Sequence, residues 1–341
     1  MEFVVVLDLC APLCASVVEA LPDPALLLQG VQDVSSDTFF SAPPHFRWLI
    51  ILYFFVGGIS GGALLVASLL RLFGAPEDRH FIRLGVYISF VGCVVSGVLL
   101  IVDLGVPLRF WHMLVQNNTG RPMFKWWSPM SVGAWGLLVF GFFSFLATLR
   151  ALWDDRRLTW STLEYLDRAP VSLFGAIGGM IGGLFLAGYT GVLLSVTNRP
   201  IWADSEWLGL LFLLSGISTA VAAMLLAARW QNVRIASTEA RLKRFDRIAL
   251  ILELIVLVLF VISLGAVARA FLNMWGVLLV LGVIGAGILM PLRLGSVRTS
   301  APPRDNVPAA ATLVLFGGLV LRIVVLLGSE QVHVAGAQVF R

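Results

Sequence analysis

Eight long, predominantly apolar runs organise this chain: residues 48–73, 81–104, 131–149, 170–196, 207–228, 248–268, 271–292 and 309–327. A hydrocarbon layer about 30 Å thick takes roughly 20 apolar residues per crossing helix. With no water there to satisfy the backbone, only helices and closed barrels can cross. Barrel strands read as alternating segments about 10 residues long, whereas these runs are continuous. With 59% hydrophobic and 13% charged residues, the protein also departs from a soluble domain, which is roughly half apolar and a quarter charged. The sequence therefore predicts an all-α integral membrane protein of eight transmembrane helices over residues 47–328. No soluble domain is expected, and residues 329–341 read as a short tail.

The first 46 residues differ, with six acidic residues, no Lys or Arg, and an apolar patch over residues 3–18 broken by Asp8 and Pro12. A secretory signal carries a basic leading region, so none is assigned, and an interfacial or disordered lead-in is expected. Orientation follows from the basic residues, because Lys and Arg loops stay cytoplasmic. Sixteen lie in the loops after the odd-numbered helices and seven on the other side, Arg322 falling inside the last span. Both termini and the loops after helices two, four and six are expected on the outer face of a cytoplasmic membrane. The pI near 9.3 then reflects topology rather than nucleic-acid binding.

Resident redox chemistry has few ligands to use. His45, His80, His112 and His333 all fall at or beyond span ends, so no facing pair can clamp a haem within the bundle. Cys10, Cys14 and Cys93 are short of the four thiolates an iron–sulfur cluster usually takes. Cys93 reads as a small core residue. Cys10 and Cys14 either pair outside the membrane or remain thiols. The sequence thus predicts no haem, cluster or conventional metal site in this chain.

Ionisable groups inside the spans carry the functional hypotheses, since charge in hydrocarbon is costly. Glu253 lies about 10 Å into helix six at 1.5 Å per residue, and is either a packing carboxylate bonded to a neighbouring helix or a proton relay. Asp103 closes helix two on the outer side. Arg322, in helix eight, reads as a snorkelling or paired cation. Glycine gives the packing logic: GGISGG at 57–62 and GGMIGG at 178–183 allow close backbone approach, which predicts that helices one and four are central.

The outer halves of those two helices hold tyrosines. Tyr189 stands about 12 Å deep by helical rise, between Gly188 and Gly191. A phenol with a pKa near 10 stays neutral and can donate a hydrogen bond without the penalty of burying an ion. Tyr53, Tyr189 and Asp103 therefore suit a carbonyl ligand on an apolar tail, a description that fits a quinone. The competing reading places the tyrosines in the aromatic belt of the interface.

Four segments carry a family resemblance: YFFVGGISGGALL from Tyr53, DLGVPLRFWHML from Asp103, SPMSVGAWGLLVF from Ser128 and AGYTGVLLSVTNRPIW from Ala187. Together they resemble the polysulfide reductase membrane-subunit family, also called NrfD-like, most clearly over helices one to four. The resemblance implies two four-helix bundles without a bound cofactor. It also implies exchange of electrons between quinone and a ferredoxin-like four-cluster iron–sulfur subunit that serves a molybdopterin catalytic subunit. Within the family, a tyrosine matching Tyr189 and a polar residue early in helix one, here Tyr53, are associated with the quinone pocket. Some relatives have histidine in place of Tyr53, and the acidic lead-in is longer than usual. Arg109, Trp111, Asn198, Arg199 and Trp202, in outward loops, are candidate docking residues, or else boundary tryptophans with Arg109 paired to Asp103. Two rival readings remain. One is an ion-translocating subunit, in which Glu253 and Asp103 form a proton route. The other is a secondary transporter, which would require broken helices near the midplane.

Overall fold

A computed structural model describes residues 35–36, 48–117, 119–158, 160–197, 199–296, 306–329 and 333–334. Of the expectations above, those on residues 1–34, 37–47 and 335–341, and on Asn198, lie outside the described residues. Helices α1 (Trp48–Phe73), α2 (Arg79–Asp103), α3 (Pro129–Asp154), α4 (Ala169–Ser195), α5 (Leu208–Trp230) and α6 (Ala236–Ser263) are followed by α7 (Met274–Gly295) and α8 (Val307–Gly328). A two-residue parallel pairing joins Ser35–Ser36 to His333–Val334. Helices α1 to α4 pack as one four-helix bundle and α5 to α8 as a second, joined mainly through α1 against α5 and α4 against α5.

Seven of these helices are long and apolar enough to cross a membrane, and α6 makes an eighth if it is taken together with the short segment after it. The last 18 residues of α6 carry Asp246, Arg247 and Glu253, which keeps α6 apart from the other spans by composition. It starts well before the expected residue 248, and its first turns are charged. After Ser263 the backbone bends by 111° into the 3₁₀ segment Gly265–Phe271. The sequence instead predicts a straight run to residue 268. Gly265 supplies a φ of 52° at the break, a conformation glycine adopts without steric cost. In α7, residues Leu278–Leu289 are wound as a π-helix.

One of the two helices expected at the centre is not there. In their most apolar windows α1 and α5 are each 72% buried, against 33% for α4, so α5 is the second central helix. The glycines explain why. A side chain on Gly61 would press into the backbone of Gly183 and Ala187 on α4, while one on Gly62 would collide with the Gly216 carbonyl and Ala220 on α5. Lipid gives helices little hydrophobic reason to associate, so such close contact is a main source of packing energy. Helix α4 uses its glycines against α1, against the Phe143 ring at Gly178, and against Gly209 at Gly191. Its remaining faces, with Phe174, Ile181 and Leu184, point outward.

Polar anchors fasten the helix ends on the arginine-rich side. Asp78, fully buried, accepts from the Ala75 amide at 2.8 Å and the Thr238 hydroxyl at 2.5 Å, and pairs with Arg241, tying the α1–α2 turn to α6. Arg83 pairs with Asp155, Arg150 with Asp167, and Arg229 grips Glu239 through two 2.6 Å bonds.

Replacing Gly62 with Val should lower stability by about 1–3 kcal/mol, the usual cost of overpacking a close contact. Gly97→Ala, where an added Cβ meets nothing within 4 Å, should be neutral or stabilising by up to about 1 kcal/mol from helix propensity. Thermal unfolding of the detergent-solubilised protein would separate the two.

Candidate functional site

Tyr189 is carried inward by α4 at the point where α3 begins. Pro129 and the residues after it form the first turn of α3, and the Tyr189 hydroxyl donates to the Pro129 carbonyl at 2.6 Å. The ring stacks on Phe185 one helical turn earlier, with centroids 5.2 Å apart and planes 19° from parallel. Gly133 lies directly beneath the phenol, where any Cβ would occupy the space of the ring and its hydroxyl. Tyr189 is only 8% exposed. It is thus a packed, oriented phenol whose proton is engaged and whose lone pairs can still accept.

Tyr53 sits across from it on α1, buried, beside Phe54 and near enough to Tyr189 and Cys93 to interact electrostatically with both. Among the described residues its hydroxyl has no hydrogen-bond partner. On α2 the hydroxyl of Ser96, a fully buried residue, also has no partner. Between them lies Gly57, where an added Cβ would come 3.6 Å from both Ser96 Oγ and the edge of the Tyr53 ring. Buried hydroxyls normally find a partner, so this junction of α1, α2 and α4 holds donors able to bind a carbonyl. Asp103 is the half-exposed last residue of α2, about 10 Å further along the helix than Ser96 at 1.5 Å per residue. No described hydrogen bond joins it to Tyr53, Tyr189 or Glu253.

A second polar cluster lies in the other bundle. Glu253, 3% exposed, accepts from the Ser218 hydroxyl at 3.2 Å and lies near enough to Arg322 to interact with it electrostatically. The Arg322 side chain is fully buried, so it does not snorkel to a polar surface. Nη1 donates to Ser215 Oγ at 3.0 Å and to the Gly318 carbonyl at 2.7 Å, and Nε donates to the Phe54 carbonyl of α1 at 3.2 Å. The guanidinium lies 5.2 Å from the Phe212 ring centre, and Nη2 faces Gly58 without a hydrogen-bond partner. Ser215 therefore holds the cation, and Ser218, one turn along the same helix, holds the carboxylate.

The connections after α2 and α4 separate into an exposed and a buried set. Trp202 is fully buried, its indole nitrogen donating to the Val325 carbonyl of α8 at 2.8 Å, and Arg199, 4% exposed, lies over its ring at 4.8 Å. These two side chains therefore plug the α4–α5 connection into the second bundle and offer no surface for docking. Ile201 between them holds a φ of 72°, costly for a β-branched residue, with its amide held by Asp204 at 2.9 Å. Arg109 and Trp111 are exposed as expected. They share the α2–α3 connection with Leu108, Phe110, Phe124, Trp126 and Trp127, all at least 40% exposed, and with the exposed cations Arg121 and Lys125. Among the described residues no group of three or more His, Cys, Asp or Glu side chains is placed to hold a metal ion.

Comparison with known proteins gives this geometry a family. The description "Polysulphide reductase, NrfD" matches residues 38–335. This chain belongs to the NrfD polysulphide reductase family. Protein NrfD of Escherichia coli is 27% identical over 318 residues, covering 83% of this chain and 94% of that protein. A polysulfide reductase chain of Wolinella succinogenes is 26% identical over 319 residues, with the same coverage. A selenate reductase subunit of Mesobacillus selenatarsenatis is 28% identical over a shorter stretch of 71 residues, 21% of this chain and 16% of that protein. The NrfD match spans both bundles, whereas the sequence motifs were concentrated in the first.

Sequence reasoning did not single out Ser96, Gly133 or Ser215. Gly133 was legible in principle, as the first glycine of α3, one turn in from the end where the next helix carries a deep tyrosine. Changing Trp202 to Phe should destabilise the protein by about 1–3 kcal/mol, because the Val325 carbonyl is left buried without its donor. Trp111→Phe, on the exposed loop, should stay within about 0.5 kcal/mol of wild type, as read by thermal unfolding.

Proposed function

We propose that this protein is the quinone-reactive membrane component of a multi-subunit oxidoreductase, with the site at Tyr53, Tyr189 and Ser96. The single observation that carries this reading is the meeting of the Tyr53 phenol and the buried Ser96 hydroxyl beside Gly57, with the Tyr189 phenol within electrostatic reach of Tyr53, at the junction of α1, α2 and α4. A quinone supplies two-electron, two-proton exchange. Two of these side chains have unused donors at the right depth for its carbonyl, so the residues present fit such a group. Tyr189 would hold the pocket wall and accept a hydrogen bond, its own proton being committed to Pro129. Tyr53 and Ser96 would donate, and Asp103 would pass protons at the outer end of α2.

The names of relatives support the assembly. One is a chain of a polysulfide reductase and another a subunit of a selenate reductase, so both are parts of larger reductases. For the protein described here we infer a molybdopterin catalytic subunit and a ferredoxin-like iron–sulfur subunit between it and the membrane. The exposed aromatic and basic surface around Arg109 and Trp111 is the place for that iron–sulfur partner, since desolvated aromatic and Arg side chains dominate interfaces. The sixteen basic residues in the opposite loops support an orientation with that surface on the outer side of a cytoplasmic membrane. In the assembled complex, Tyr53→Phe should slow quinol-linked turnover about three- to tenfold, the scale of one lost hydrogen bond. Tyr189→Phe should do the same by freeing the Pro129 carbonyl and loosening the wall. Rates within twofold of wild type for both, with subunits still assembled, would remove these residues from the site.

A second reading is favoured by the Glu253–Ser215–Arg322 cluster, which is buried in the second bundle and bonded to the Phe54 carbonyl beside Tyr53. It has the composition of a proton relay, as ion translocation would need. Glu253→Gln should leave quinol-linked electron transfer in place while lowering the protons moved per electron by the complex in sealed vesicles. An unchanged proton yield would make Glu253 a packing residue.

A further inference from the structure

On the arginine-rich side of the first bundle, a groove runs between α1, α2, α3 and α4 away from the tyrosine site. Its walls are apolar. The Phe143 and Phe174 rings lie 5.7 Å apart on one of them, and Phe174, 66% exposed, stands at the mouth, so the groove opens on the lipid-facing surface. Gly175 forms part of the lining, and a Cβ added there would meet nothing within 4 Å.

The polar end is built from two guanidiniums. Arg71 of α1 and Arg150 of α3 both donate to the Ser172 hydroxyl of α4, at 2.7 and 2.8 Å. Arg150 is also paired with Asp167. Arg71 has no carboxylate within ion-pair reach among the described residues, and its only described partner is a neutral hydroxyl. A guanidinium carries five donors in a planar fork that suits a phosphate, so Arg71 retains unused donors beside a second cation. Phosphate-binding capacity at one end of an apolar groove open to lipid is the chemistry of a glycerophospholipid. Basic pockets between transmembrane helices bind such headgroups.

We propose that this groove is a specific phospholipid site, with the phosphate held by Arg71 and Arg150 and an acyl tail laid along Phe143, Phe174 and Gly175. The site is separate from the redox reading, and its test does not involve turnover.

The experiment is native mass spectrometry of the full-length protein in detergent, with phosphatidylglycerol added. One tightly retained lipid is expected on wild type. Arg71→Gln should reduce the retained fraction about tenfold, the scale of one lost charge-assisted hydrogen bond. Gly175→Leu, whose Cβ meets nothing within 4 Å and whose branched end adds bulk to the groove lining, should reduce it similarly while leaving the elution profile and unfolding temperature unchanged. Arg244→Gln, exposed on the same side, should leave retention as in wild type. Equal retention in wild type and both groove variants would overturn the proposal. So would equal retention of a diacylglycerol with the same acyl tails, or displacement of the lipid by millimolar inorganic phosphate alone.

Discussion

Backbone contact at the α1 glycines is the constraint from which the rest of the structure follows. Gly61 meets α4 and Gly62 meets α5 with no room for a methyl group, so one helix is clamped from two sides by carbonyls and amides. In water such contacts would be incidental beside the hydrophobic effect. In lipid, where apolar side chains gain little by leaving the solvent, they set which helices neighbour which. Because α1 is fixed against both bundles, the residues in its first turns, Tyr53, Phe54 and Gly57, become the place where the two halves can exchange influence.

Polar chemistry is divided between the halves by the same geometry. The first bundle gathers hydroxyls that are neutral and only partly satisfied. The second encloses a carboxylate and a guanidinium with serines between them. Burying an unpaired charge in hydrocarbon is costly, and here the cost is offset by Ser215, Ser218 and the carbonyls of Gly318 and Phe54, which leave only Nη2 of Arg322 without a partner. A half-satisfied neutral site suits a visiting ligand, and a mostly satisfied ionic site suits permanence.

The sequence made the spans legible because hydropathy is a local property. The expected run at 48–73 coincides with α1, and those at 170–196 and 309–327 differ from α4 and α8 by one or two residues at each end. Helix α6 was misjudged because its first turns carry Glu239, Arg241 and Lys243, which a search for apolar length reads as a loop, although charged residues form helix readily outside lipid. The site was less legible. Tyr189 stood out as a polar group at depth, and the structure gives it an oriented bond. Gly133 and Ser96 are inconspicuous alone and acquire meaning only from what faces them. Arg199 and Trp202 looked like surface residues because arginine and tryptophan at a span end usually are. Only the fold of the α4–α5 connection onto α8 reveals them as interior.

One bond described above ties distant parts of the sequence together. Arg322 Nε donates to the carbonyl of Phe54, 268 positions away, and Phe54 immediately follows Tyr53. That carbonyl lies in the peptide plane joining Phe54 to Phe55, so the last helix grips the backbone one residue beyond the phenol and fastens the two bundles to each other at that height.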